Sequence, residues 1–125
     1  MRMDKLTTRF QQALADAQSL AVGRDHPGLA PTHVMLALMD QDGGSTQPLL
    51  LAAGVNPDQL RNRLATALDR MPTLGQPSGE IQATTELGRL LNLTDKLAQK
   101  RKDPYISSEL FVLAAVEDKA ELREG

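Results

Sequence analysis

The two histidines are the first side chains in this sequence that could form a chemical site. His26 and His33 are its only imidazoles, and a zinc site would need carboxylates or a third ligand to converge with them. His33 falls in the predicted first turn of a buried helix, which favours a structural role. We therefore expect both histidines to be structural and the protein to bind no metal.

Carboxylate pairs are the second candidate for chemistry. Asp40 with Asp42, or Asp103 with Glu109, could in principle supply a general acid and a general base. Neither pair has a nucleophile or a second catalytic group beside it. The sequence also lacks the phosphate-binding pattern G-x-x-x-x-G-K-[ST], the zinc pattern H-E-x-x-H and the serine pattern G-x-S-x-G. We therefore expect no enzymatic activity from this chain.

The composition predicts a helical core of aliphatic side chains. Hydrophobic residues make up 41% of the 125 residues, but aromatic residues only 2%. Leu, Ala, Val, Ile and Met must therefore fill the interior, and this set favours helices over sheets. A chain of this length is typical of one domain that buries roughly two-thirds of its unfolded surface.

The charges argue against nucleic acid and membranes as partners. The 14 basic and 16 acidic residues are mixed along the chain and give a net charge of −2, so there is no basic patch for phosphates or anionic lipid. The one basic run, 100–102, is typical of cations at a helix C-terminus. There is no signal-peptide pattern, no apolar stretch of membrane-spanning length and no cysteine, so we expect a cytoplasmic protein.

The sequence contains one pattern twice, at a constant offset that matches position 10 with position 87 and position 24 with position 101. Each copy has an apolar helical stripe followed by an arginine and a proline, Arg24 and Pro27 in the first copy and Arg101 and Pro104 in the second. Such a repeat indicates one supersecondary unit built twice, with each copy covering the apolar face of the other. The stripes are Phe10, Ala13, Leu14, Ala17, Leu20 and Ala21, and Leu87, Leu90, Leu91, Thr94, Leu97 and Ala98.

Capping and proline signals place four helices in the first copy. Thr8 with Gln11 forms a capping-box pattern before the first stripe, and Pro31 stands where a proline opens a second helix. A third short helix is predicted to follow Pro48. Asn56 is predicted to cap a fourth helix that ends near residue 70.

The second copy predicts the same helices again. Its first helix is expected to open near Thr84 or Thr85, and Ser107 is expected to cap the next. The predicted fold class is all-α, a double repeat of a four-helix unit with a pseudo-twofold axis. By the offset, the second copy lacks its last one or two helices, so we expect an incomplete second repeat. The predicted organisation is a first repeat over 1–70, a Pro- and Gly-rich linker over 71–82 and a second repeat over 83–125.

The differences between the copies are the best guide to function. Asp16 in the first copy is replaced by Leu93 in the second, and His33 is replaced by Leu110. Extra apolar side chains at formerly polar positions are typical of an interaction surface. The alternative is that both leucines are buried against the other copy or against a further C-terminal helix. The sequence alone leaves both interpretations open.

Three polar residues near the helix ends have ordinary explanations. Thr7 precedes the predicted cap Thr8 and could belong to a frayed first turn. Asp103 before Pro104 is a common turn residue, and the carboxylate of Glu109 in a first helical turn is favoured by the helix dipole.

Two stretches of the sequence resemble the N-terminal domain of the bacterial ClpB family of disaggregases. These stretches are ALADAQSLA over 13–21 and DKLAQKR over 95–101, the second followed by YISSELFVLAA over 105–115. The resemblance covers nearly the whole chain. It implies a double helical repeat, which agrees with the duplication found from the residues.

The same resemblance implies a function and a set of residues. Members of the family form hexameric rings, hydrolyse ATP with Mg²⁺ in motor modules that this chain lacks, and act with a DnaK-type chaperone system. Their N-terminal domain engages unfolded or aggregated polypeptide and needs no cofactor of its own. The family's substrate-handling positions match Thr7, Asp103 and Glu109.

These two lines lead to one hypothesis for the site. Leu93 and Leu110 are expected to supply apolar contact area, and Thr7, Asp103 and Glu109 a polar rim that hydrogen-bonds extended backbone. The isolated domain is expected to be a monomer. The alternative is a docking site for one folded adaptor protein, as in related Clp ATPases.

Overall fold

The computed structural model describes residues 3–41, 44–73 and 81–117. Within them the chain forms six α-helices and two very short strands, which confirms the all-α fold class. Most of the predicted linker, 74–80, and the candidate Asp42 lie outside the described residues. A 3-10 turn, Met3–Lys5, precedes the regular elements: α1 Thr8–Gly23, β1 Gly28–Leu29, α2 Pro31–Asp40, α3 Thr46–Ala52, α4 Pro57–Arg70, β2 Gln82–Ala83, α5 Thr85–Lys100 and α6 Ser108–Glu117.

Threonine caps begin the long helix of each copy, and one prediction about them is wrong. The N-cap of α1 is Thr7, whose Oγ1 accepts the Phe10 N–H at 3.2 Å, and not Thr8. Thr84 caps α5 in the same way, with the Leu87 N–H at 3.2 Å. Thr84 is the second-copy equivalent of Thr7, so both copies use the same position as the cap; the sequence could not decide this, because each copy has two adjacent threonines there.

The other helix starts mostly follow the sequence signals. Pro31 opens α2, the Asn56 side chain caps α4, and the Ser107 hydroxyl accepts the Leu110 N–H at the start of α6, as predicted. The third helix differs from the prediction, because it begins at Thr46 and contains Pro48. A proline is tolerated there because the first turn of a helix needs no intrahelical N–H donors.

The backbone repeats itself at the offset read from the sequence. Helices α1 and α5 both have 16 residues, and α2 and α6 both have 10. After each long helix the chain reverses through a residue with positive φ, 57° at Asp25 and 60° at Lys102. Few residues other than glycine adopt this conformation, so its recurrence at the equivalent position of the second copy shows that the two turns are the same structure.

Short extended segments of the two copies pair with each other. Strand β1 of the first copy pairs in parallel with β2, which leads into the second copy. In the reciprocal contact, Leu6 forms a parallel bridge with Ile106. The Thr84 N–H donates to the Leu29 carbonyl at 2.9 Å, and the Thr7 N–H donates to the Ile106 carbonyl at 3.0 Å. Each copy therefore supplies backbone partners that the other needs.

The core lies between the two helix pairs α1–α2 and α5–α6. Its centre is formed by Phe10 and Phe111, both fully buried, with ring centroids 5.4 Å apart in a tilted arrangement. These are the only two phenylalanines, one from each copy, and the smaller aliphatic side chains surround them as the composition predicted. Among the described helices none has the length and apolarity needed to cross a membrane.

Candidate functional site

A small polar pocket lies where α1, α3 and α6 begin. Its volume is about 240 Å³, and its walls include Thr7 and Glu109, so two of the five predicted site residues come together here from opposite copies. Several of its lining residues carry hydroxyl or amide groups that can hydrogen-bond the polar atoms of a peptide backbone. The other lining residues are Thr8, Arg9, Gln41, Gly44, Ser45, Thr46 and Ser108.

Glu109 is the carboxylate of this polar pocket, and it ties the two copies together. Its Oε1 accepts the hydroxyl of Ser45, the N-cap residue of α3, at 2.6 Å. This hydrogen bond is the main cause that lowers the pKa of Glu109 below its ordinary value, and Ser107 and Arg9 lower it further, although partial burial acts in the opposite direction. Glu109 is therefore ionised at neutral pH and already holds a partner within the protein.

A second concave surface, the apolar groove, lies between α5 and α6. It has a volume of about 350 Å³ and contains Leu93, the third predicted site residue. Leu93 and Leu97 are half-buried and lie one helical turn apart, so they form a continuous apolar floor with Ala114 of α6. The remaining lining residues are Lys96, Lys100 and Glu117.

Asp103 lies apart from both surfaces. It follows the left-handed residue Lys102 in the turn after α5, and its N–H donates to the Ala98 carbonyl at 2.9 Å. Its half-exposed side chain approaches Arg101, with Nε and Oδ2 3.4 Å apart. Asp103 is not among the described lining residues of the polar pocket or of the apolar groove.

Leu110 is buried, which corrects the expectation that it supplies exposed contact area. Its side chain is only 4% exposed and belongs to the central core. The position is the second-copy equivalent of His33, which is also fully buried. The two candidate leucines therefore separate, with Leu93 in the apolar groove and Leu110 inside the protein.

The equivalent of Leu110 in the first copy, His33, forms a buried hydrogen bond with the other histidine. His33 Nε2 and His26 Nδ1 are 2.8 Å apart, and His33 Nδ1 accepts the Ala30 N–H at 2.9 Å. Because Nδ1 accepts, neutral His33 carries its proton on Nε2 and donates it to His26. The pair fastens the turn after α1 to the first turn of α2, which supports the structural interpretation of both residues.

A positive charge on His33 is disfavoured. Burial, and then the neighbouring His26, lowers the pKa of His33 from 6.5 to about 4, and Arg24 contributes in the same direction. Arg24 is itself paired with Asp69 of α4, 2.8 Å away. In the second copy Asp103 and Leu110 replace the two histidines. Leucine cannot hydrogen-bond an aspartate, so nothing equivalent draws Asp103 into the core.

Several residues of these surfaces were missed by the sequence reasoning. One helix face contains Leu93 and, three, four and seven residues later, Lys96, Leu97 and Lys100. The helical period could therefore have predicted that these four residues share a surface. Ser45 had no comparable signal, because it meets Glu109 across 64 residues of sequence. In the described ranges no three His, Cys, Asp or Glu side chains are placed to hold a metal ion.

The family model of the Clp repeat (R) N-terminal domain matches residues 5–124. The chain belongs to this family. It is 52% identical over 122 residues to the chaperone protein ClpB of Vibrio cholerae, in an alignment that covers 98% of this chain and 14% of that relative. This match confirms the resemblance read from the motifs, and it shows that the chain spans about one-seventh of the length of a ClpB protein.

Solved structures of Clp N-domains have the same fold. The N-terminal domain of the ClpV1 ATPase from E. coli EAEC matches with a TM-score of 0.83 and 25% identity, over 96% of this chain and 72% of that one. A ClpV N-domain in complex with a VipB peptide matches with a TM-score of 0.75 and 21% identity, over 97% and 73% of the two chains. The double helical repeat is thus a Clp N-domain fold.

Because Leu110 is buried, we expect that its substitution lowers the stability of the domain. Leu110→Ala should lower the free energy of unfolding by about 2 to 5 kcal/mol because it leaves a cavity in the core. Leu110→Asp should cost more, because an unpaired charge would be buried. Chemical denaturation followed by circular dichroism measures both. A stable, fully folded Leu110→Asp variant would contradict this placement.

The histidine pair predicts a loss of stability in mild acid. The folded-state pKa of His33 lies below its unfolded value, so its contribution is complete above about pH 6.5 and is lost as the pH falls toward 4. The full change should be on the order of 3 kcal/mol. Urea unfolding of the wild type and of His33→Gln at several pH values tests this. The free energy of unfolding of the wild type should fall between pH 6.5 and 5, and that of the variant should fall much less. An equal decrease in both proteins would contradict the assignment.

Proposed function

We propose that this chain is the non-catalytic substrate-binding domain of an ATP-dependent protein disaggregase. It engages unfolded or aggregated polypeptide through the apolar groove between α5 and α6. The observation that carries the proposal is the half-buried Leu93, an apolar side chain on a concave surface where the first copy has the exposed Asp16. At this position of the repeat, the apolar contact is therefore found in the second copy and not in the first.

The chemistry of the two surfaces supports weak and sequence-tolerant binding. Leu93 and Leu97 offer apolar area that many side chains can contact, and such contacts discriminate little between sequences. The polar pocket with Thr7 and Glu109 offers hydrogen-bonding groups for backbone. Asp103, in the turn after α5 and outside the lining of both surfaces, remains a proposed contact. Leu110 would act only by packing under α6 in the core.

The wider role is proposed from the ClpB relatives. In the longer protein the domain would hand substrate to a hexameric motor that binds ATP and Mg²⁺, and it would act with a DnaK-type chaperone system in the cytoplasm. The domain itself would be a monomer that contributes no cofactor. The division into repeats over 1–70 and 83–125 with a linker over 71–82 is part of this proposal.

A second candidate function is docking of one specific folded adaptor. It is suggested by a neighbour of the same fold, a ClpV N-domain whose structure is a complex with a peptide of one defined protein, VipB. Saturable binding to a single cellular protein, together with no affinity for denatured substrates, would select this function over the first.

The apolar groove is tested by two leucines at equivalent positions. Leu97 and Leu20 occupy the same place in the repeat, and both are half-buried on the long helix of their copy. Leu97→Ser should weaken binding of a fluorescent unfolded polypeptide by roughly five- to thirtyfold, from the loss of about 1 to 2 kcal/mol of apolar contact. Leu20→Ser should cost similar stability and leave affinity unchanged. Fluorescence anisotropy measures the affinity, and equal losses in both variants would contradict the groove.

The polar pocket is tested by the two threonine caps. Thr7→Ala and Thr84→Ala each remove one N-cap hydrogen bond and should each cost about 1 kcal/mol of stability. Only Thr7 lines the polar pocket, so only Thr7→Ala should reduce binding of the unfolded polypeptide. Thr7→Ser, which keeps the cap and the hydroxyl, should restore it. If the loss of binding is proportional to the loss of stability in all three variants, Thr7 acts only as a helix cap and not in binding.

A further inference from the structure

The two walls of the apolar groove carry charges of opposite sign. Lys96 and Lys100 are exposed on the α5 side, and Glu117 is exposed on the α6 side. Lysine side chains commonly lay their methylene stems along apolar surface and keep the ammonium in water. The two lysines therefore place two positive charges along one edge of a floor made of Leu93 and Leu97, against one negative charge on the opposite wall.

This positive edge is particular to the second copy. The first-copy positions equivalent to Lys96 and Lys100 are Ser19 and Gly23, both uncharged. The negative residue, by contrast, is present in both copies, as Asp40 and Glu117. The change from Asp16 to Leu93 thus coincides with the gain of two cations, and the second copy differs from the first by an apolar floor and a positive edge together.

The spacing of the two lysines fits an extended chain. Four helical residues advance about 6 Å along the axis, and alternate residues of an extended chain are about 6.7 Å apart on one side. Two carboxylates separated by one residue would therefore meet both ammonium groups at once, while side chains on the other side of the strand face the leucines.

We propose that the apolar groove selects extended segments in which apolar residues alternate with, or are flanked by, carboxylates. The inference rests on the proposed function, since it names the substrate class of the same groove. Carboxylates of the bound segment lie along the edge formed by Lys96 and Lys100, and its apolar side chains contact Leu93 and Leu97. Segments flanked by lysines are disfavoured because they face two like charges.

Three synthetic peptides test the preference. They share one apolar core and carry two glutamates, two glutamines or two lysines at the flanking positions, and binding to the 125-residue chain is followed by fluorescence anisotropy. An exposed ion pair changes affinity by up to about fivefold, so the glutamate peptide should bind roughly tenfold more tightly than the lysine peptide, with the glutamine peptide between them. Raising the salt concentration should reduce the difference, because exposed charges are screened.

A charge-reversed variant separates the groove from the overall charge of the chain. Lys96→Glu combined with Lys100→Glu should invert the order of the three peptides. Arg63→Glu combined with Arg70→Glu makes the same change in net charge on α4, outside the groove, and should preserve the order. Circular dichroism confirms folding of both double variants. An order that changes equally in both would overturn the assignment to this groove.

The outcomes test the charge selection separately from the proposed binding of unfolded polypeptide. Equal affinities for the three peptides would overturn the charge selection and leave the groove as an unselective apolar site. Tighter binding of the lysine peptide would overturn it too, and would indicate that Glu117 dominates. If no peptide bound at all while the chain was folded, the proposed function itself would fail.

Discussion

The reciprocal backbone pairing between the two copies is the constraint on which the rest of the structure depends. The Thr84 N–H reaches the Leu29 carbonyl, and the Thr7 N–H reaches the Ile106 carbonyl. Each of these bonds joins the residue that caps a long helix to the segment before the next helix of the other copy. Unpaired backbone groups at such partly buried positions would be costly, so each copy relies on the other for these hydrogen-bond partners. The pairing fixes where α1, α2, α5 and α6 begin and holds the two phenylalanines in contact at the centre.

Because the two copies have nearly the same backbone, a difference in function between them must come from the side chains that differ. Where the first copy has Asp16, the second has Leu93 on the floor of a groove. Where the first copy has the buried His26 and His33, the second has Asp103 and Leu110. The histidine hydrogen bond closes the first copy's turn against its second helix, and its absence from the second copy leaves Asp103 half-exposed. The duplication supplies the same backbone frame twice, and divergence at a few positions gives the second copy the apolar groove to which we assign the proposed binding.

The fold was largely predictable because its signals are local. Helical stripes, Pro31, Asn56 and the constant offset between the copies fixed the class, the repeat and most helix starts. The exceptions have physical reasons. Thr7 and Thr8 are both suitable caps, and the second copy repeats the same ambiguity with Thr84 and Thr85. The candidate site was predictable in part: Thr7 and Glu109 do share a pocket, and Leu93 does line a groove. The burial of Leu110 could not be predicted, because it depends on which helices meet. Ser45 could not be found because it contacts Glu109 across 64 residues of sequence.

The central claim is that two halves with one backbone differ in what they bind. A backbone NMR titration of this chain with an unstructured, aggregation-prone polypeptide tests it most directly, because each amide of the long helices has an equivalent in the other copy as an internal control. The account predicts chemical-shift changes around Leu93, Leu97 and Ala114, and none at Asp16, Leu20 and Ala37. Changes of equal size in both sets, or changes confined to the first copy, would contradict it.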